Sequence, residues 1–191
     1  MSQITKDDVI KRVRHDESFV GENLSNLDLS GMQLSGIDFS QADLRGATLQ
    51  NANLIDANLN DTNLSSANLS GAMMQGAYLI GANLTNTNIQ GTDLEGAFLG
   101  GSILSGTNFR AANLRHATIG CPNWVVSNQF GNLTSFENAN LEETIFGETK
   151  PQGVVFIGAK LTGAYLYEVD LSESVYKRSD LEGAITKQGR N

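Results

Sequence analysis

The residues that could do chemistry in this chain are two histidines, one cysteine and a long file of aspartates and asparagines. A histidine or thiol with a partner at motif spacing would suggest nucleophilic catalysis, and regularly spaced carboxylates would suggest metal ligation. Neither pattern is met. His15 lies in an N-terminal segment and His116 inside a repeat, with no nucleophile at a motif spacing from either. Cys121 stands at the edge of a break in the pattern and reads as a small corner residue. The acidic and amide residues precede leucines one by one, most are Asn, and they do not follow the calcium-binding G-G-x-G-x-D-x-U-x repeat. No glycine-rich phosphate loop follows a strand and opens a helix. The expectation is a protein without a catalytic site, a metal or a cofactor.

The elements that must position these residues are unusual. Residues 52–72 read ANLIDANLNDTNLSSANLSGA, with leucine at 54, 59, 64 and 69 and alanine or threonine two places before each. On an α-helix a step of five advances the face by about 140°, so the leucines would form no stripe. On one continuous strand an odd period sends alternate leucines to opposite faces. Within a unit, Ala52 and Leu54 point the same way on a short extended stretch. The chain must therefore turn once per unit to bring Ala57 and Leu59 back inside. If each bend is near a right angle, four units close a coil and residues twenty apart stack. The polar positions between supply turn chemistry.

On the units ADLRG (42–46), ANLSG (67–71), TDLEG (92–96), ANLRH (112–116) and AKLTG (159–163), the chain resembles the pentapeptide-repeat proteins over most of its length. The resemblance implies an all-β fold, a right-handed quadrilateral parallel β-helix. The helix-then-coil layout is similar to that of cyanobacterial members. Most of the family lacks known catalytic activity, so the resemblance also implies a non-catalytic role.

The central residues run from 24 to 119 without a slip, so residues 22–121 form five coils. Leu44, Leu49, Leu54, Leu59, Leu64, Leu69 and Leu84 are the expected core stack, each contributing about 1.5–3 kcal/mol on burial. Residues 1–21 are read as a cap: Thr5 and Asp8 suit a capping box, and Ile4, Val9, Ile10 and Val13 make an apolar helical stripe. Such a cap would cover the open end of the coil against end-to-end stacking. After Ile119 the next clear centre is Phe136, so residues 122–133, with Pro122 and Trp124, are read as a loop or distorted turn. Residues 134–183 are a second block of about two and a half coils. Pro151 at a central position there suggests a smaller excursion, and residues 184–191 a polar tail. Thirty units would give a rod about 36 Å long.

Charged residues are 18% of the chain and the net charge is −8, which disfavours direct nucleic-acid binding. There is no apolar run of about 20 residues to insert in a membrane, and the N-terminus has no apolar signal core. A cytoplasmic, soluble protein is expected. Outward positions twenty apart form columns, and Asp38, Asn58, Tyr78 and Phe98 form one with Ile80 beside it; Ile145, Tyr165 and Ile185 form a comparable one. Tyr78, Ile80 and Phe98, with Trp124, are the candidate partner-binding residues, since exposed aromatics anchor protein contacts. The leading expectation is a scaffold or interaction protein with a protein partner. The alternative is a DNA mimic that binds DNA gyrase, as some relatives that confer quinolone resistance do. Residues 21–105 hold eight acidic groups against Arg45 alone, but these are spread over several faces. The chain lacks the apolar C-terminal helix by which such relatives dimerise, so a monomer is expected rather than a dimer.

Overall fold

The structure, a computed structural model, describes residues 4–124, 133–151 and 153–186. In each unit the small residue and the central apolar residue face inward, and Leu44, Leu49, Leu54, Leu59, Leu64, Leu69 and Leu84 are all 0% exposed. The chain then turns on a residue of positive φ, such as Gly46, Asn51, Asp56 or Asp61. Gly, Asn and Asp reach that left-handed conformation at least cost, which explains their frequency at this position.

Residues twenty apart pair as isolated parallel bridges in four columns. One column runs from Asn23 to Asn123, the next from Asp28 to Val175, and the third from Gln33 to Lys160. The fourth is Asp38, Asn58, Tyr78, Phe98, Thr118, Ile145, Tyr165 and Ile185. Backbone bonds run along the rod at each bridge, as where Leu64 N–H donates to Asn83 O at 2.9 Å and Asn63 N–H to Ala42 O at 3.0 Å. One bridged residue per face is too short for a regular strand. The result is a four-sided β-helix with a short α-helix at one end.

The residue before each centre serves the turn as well as the column. Asn63 Oδ1 accepts from Ser65 N–H at 3.2 Å, and Asn68 and Asp43 make the same local bond. Some amides also bond along the stack, as Asn88 does to Asn68 and Asn108 to Asn88. Inside, buried threonines at the small-residue position satisfy their hydroxyls on the neighbouring coil. Thr62 donates to Phe39 O and Thr87 to Leu64 O, at 2.8 and 2.7 Å.

Helix α1, Lys6–Val13, begins in the expected capping box of Thr5 and Asp8. Val9 is fully buried, Ile4 and Val13 pack on the core, and Ile10 is half-buried. Arg12 extends from the helix to the first coil, with its guanidinium 4.4 Å from the centre of the Phe19 ring and 3.3 Å from Glu22. Phe19 is fully buried and stacks on Phe39 at 5.2 Å, so the solenoid starts one unit before residue 22.

The break also differs from expectation. Asn123 still bridges Ile103, and Trp124 takes the central position of one more regular unit, 7% exposed. Bridges then span 27 residues instead of twenty, as Asn113 to Asn140, so seven residues are inserted and the stack resumes in register. Of the expected loop 122–133, residues 125–132 lie outside the described residues, as do 187–191 of the tail. Pro151 is buried and brings no net insertion. The corner moves forward to Gly147, which has φ +67°, and the bridge slips to Thr149 with Val169 before Val155 pairs with Val175 at the usual spacing. At the far end Tyr176, thirty residues beyond Phe146 and so at a central position of the five-residue count, is exposed, and Arg178–Leu181 form a 3-10 turn.

Candidate docking face

Tyr78 and Phe98 stand outward on adjacent coils, 43% and 40% exposed, their rings stacked at 5.2 Å and within 10° of parallel. A spacing of one coil, about 4.8 Å, makes this stacking automatic for rings in one column. Ile80, two residues beyond Tyr78, is exposed on the same face. The sequence-predicted trio is thus brought together.

Trp124 is not part of it. The expected loop would have exposed this side chain, but the register carries it into the interior. There its indole N–H donates to Thr149 Oγ1 and its ring meets Phe136 edge-on at 6.2 Å. It sits at a point where the interior is otherwise filled by Phe109, Phe136, Phe146 and Phe156.

The larger feature escaped the sequence reading. Phe98 bridges Thr118, and Thr118 bridges Ile145, so the two outward columns seen separately are one. The apolar ridge runs Tyr78, Phe98, Thr118, Ile145, Tyr165, Ile185 without leaving the face. Among the described residues, twelve large apolar side chains are exposed, and eight belong to this face: the five ridge members besides Thr118, plus Val20, Ile80 and Tyr167. Such concentration on one wall of four is what separates a patch from scattered exposure. Counting the break as a seven-residue insertion would have joined the two columns from the sequence.

The residues first considered for chemistry are dispersed. His15 Nδ1 lies 2.9 Å from Lys11 O, and His116 turns a corner with Nδ1 3.2 Å from Glu143 Oε2. Cys121 is an exposed corner residue of φ 43°. Among the described residues no group of three His, Cys, Asp or Glu side chains could hold a metal ion, and no helix is long and apolar enough to cross a membrane. A hollow of about 450 Å³ lies on another wall, lined by polar residues including Asn88, Asn108 and Arg110.

Carboxylates flank the Tyr78–Ile185 face. Glu148 and Glu168 occupy one edge on adjacent coils. Glu168 raises the Glu148 carboxyl above its ordinary value by a side-chain hydrogen bond and by charge, and raises the Tyr167 phenol in the same way. On the other edge Glu143 is shared between Arg115 and His116.

No curated protein matches the sequence. Solved structures do. A pentapeptide repeat protein from the Arabidopsis thaliana thylakoid lumen is 35% identical, covering 52% of this chain and 69% of that one, with a TM-score of 0.51. HetL, a pentapeptide repeat protein involved in heterocyst differentiation regulation from the cyanobacterium Nostoc sp. strain PCC 7120, is 22% identical over 98% of this chain and 99% of its own, with a TM-score of 0.38. Full-length QnrB1, a plasmid-mediated fluoroquinolone resistance protein, is 18% identical over 98% and 90%, with a TM-score of 0.48. The last two superimpose too loosely to bear on function. The family model described as pentapeptide repeats matches residues 23–61, 62–101, 99–120 and 134–173, stopping and resuming around the insertion. With well over half of its length matched, the chain belongs to the pentapeptide-repeat family.

Proposed function

We propose that this protein is a non-catalytic interaction module that presents the wall from Tyr78 to Ile185 to a protein partner. The observation that carries the proposal is the water-exposed Tyr78–Phe98 stack at the head of a column that continues, across Thr118, through Ile145, Tyr165 and Ile185. Phe98 takes a position where Asn or Asp would accept a hydrogen bond from the N–H two residues on, as Asn58 does from Asn60; beside Tyr78 that N–H, on Ile80, donates to Asn60 Oδ1 instead. A buried interface offsets that loss, because aromatic side chains concentrate binding energy when a partner excludes water around them.

The test is affinity capture from the source organism with the intact chain and with Tyr78→Ala/Phe98→Ala. The double variant should lose its specific partner while melting like the parent. Equal capture by both would overturn the proposal. The DNA-mimic reading needs a continuous negative stripe at nearly the charge density of a duplex, about one per 1.7 Å. The bridging aspartates Asp43, Asp28, Asp93 and Asp38 instead stand one on each of the four walls. Inhibition of gyrase supercoiling at low protein concentration would favour the mimic.

A further inference from the structure

We infer that the Tyr78–Ile185 wall receives an amphipathic α-helix whose flanks carry lysine or arginine, an inference that rests on reading this wall as a docking surface. Beside the ridge runs a second column, two residues further on in each coil: Ile80, Gly100, Gly120, Gly147 and Tyr167. The three glycines fall in consecutive coils and leave a trough floored by backbone, with exposed Ile80 and Tyr167 at its ends. At Gly100 the fold does not demand glycine: its φ is not left-handed, and an added Cβ would meet nothing nearer than Gly120 O at 3.9 Å. Four coil steps make the trough about 19 Å long.

The backbone of this wall decides what kind of segment can lie there. Phe98 N–H donates to Ala77 O, Leu99 N–H to Thr118 O, Thr118 N–H to Ala97 O and Gly101 N–H to Gly120 O, all along the rod. An extended peptide laid on the wall would find no ladder to join, and its covered amides would go unpaired. A helix arrives with its backbone bonds already made, and about 13 residues span the trough. Its apolar side chains at i, i+4, i+7 and i+11 would enter the trough and lean on the ridge.

Charge selects the flank. Glu148 and Glu168 stand side by side at one edge, and no cation among the described residues pairs with either. Asp56 turns the opposite corner, where Glu143 is already shared between Arg115 and His116. The unpaired negative charge is thus that of the Glu148–Glu168 edge. A helix with a basic flank supplies the charge that edge lacks.

The probe is an alanine-based, fluorescein-labelled helical peptide of about 14 residues, with leucines at those positions and lysines on its flanks, titrated by anisotropy against the full chain. A twin carries glutamates in place of the lysines. The lysine peptide should bind at least ~10-fold tighter than its twin. Gly100→Leu, which fills the trough without backbone strain, should weaken it ~10-fold or more, as should Tyr78→Ala/Phe98→Ala. Glu148→Lys/Glu168→Lys should reverse the preference between the peptides, and because it lies at exposed corners it keeps the test decisive if Gly100→Leu disturbs the coil. Absence of saturable binding, equal affinity for the twins, or indifference to both the trough and charge variants overturns the inference. If Tyr78→Ala/Phe98→Ala loses the captured partner while Gly100→Leu and the charge reversal keep it, the helix is wrong and the docking wall stands. If all three keep it, both readings fall.

Discussion

A threonine hydroxyl inside a leucine-lined rod is tolerable only because the neighbouring coil offers a carbonyl at hydrogen-bond distance. Thr62, Thr87, Thr92, Thr107 and Thr144 all use one. Ser102 occupies the same kind of position, but its buried hydroxyl has no partner. Opposite outcomes follow for two conservative changes. Thr87→Val should lower stability by about 1 kcal/mol, while Ser102→Ala should leave it level or raise it; urea unfolding of both variants checks the contrast. At the corners, several glycines lie beneath an Asx side chain of the coil before. A Cβ on Gly81 would strike Asp61 Oδ1, whereas one on Gly36 would meet nothing within 4 Å. Both have positive φ, near +69°. Gly36→Ala therefore pays only the left-handed backbone cost of about 1–2 kcal/mol. Gly81→Ala should lose more, and Asp61→Ala in the same chain should recover the difference.

At the scale of elements, α1 is tied to the solenoid by polar contacts as well as by Val9. Lys6 Nζ lies 3.2 Å from Asp28 Oδ2, and the Asp28 carboxyl is held down to about 2 by Ser30, whose hydroxyl and N–H both donate to it, and by Lys6. Asp8 is lowered too, by the Thr5 hydroxyl and N–H of the capping box. Carboxyls depressed in the folded state contribute fully above their unfolded range near ~4, and the contribution disappears as pH falls through the folded values. Protection of the helix amides from exchange, taken relative to the intrinsic rate at each pH, should therefore fall as pH is lowered from about 4 toward 2, ahead of protection in the central coils. Asp28→Asn should flatten part of that response. The insertion is the other element-scale feature. Since the bridges on either side hold the same columns, excising seven residues from 126–132 should restore the regular spacing with little change in melting temperature. Loss of cooperative melting in that variant would show that the inserted residues support the coil. The corner pair acts oppositely to Asp28. Glu148 is raised, so its repulsion from Glu168 grows as pH rises through its titration, and Glu148→Gln should stabilise the rod more at neutral than at acid pH.

The whole molecule is quasi-one-dimensional, each coil touching only its neighbours, so stability should be highest at mid-rod and lowest at its end. Leu84 is fully buried between two coils, whereas Leu171 is only half-buried. Leu84→Ala should cost about 2–5 kcal/mol and Leu171→Ala distinctly less, with hydrogen exchange fastest in the last coil. The sequence by itself determined the inward positions, the coil of four units, the helical cap and the Tyr78–Phe98 pair. A five-residue period with two inward residues admits only one way of burying them, and that argument needs no coordinates. What it could not decide was any feature that depends on how the chain resumes after an interruption. Trp124 reads as a loop residue beside Pro122, yet one further unit of register makes it core. The ridge reads as two fragments, yet the stacking of Ile145 beneath Thr118 makes it one wall. The glycine trough exists only because residues 100, 120 and 147, unequally spaced in sequence, share a column in space. Periodicity is a local property and is written in the residues. The alignment of columns across an inserted segment is set by which coil packs on which, and only the tertiary structure decides that.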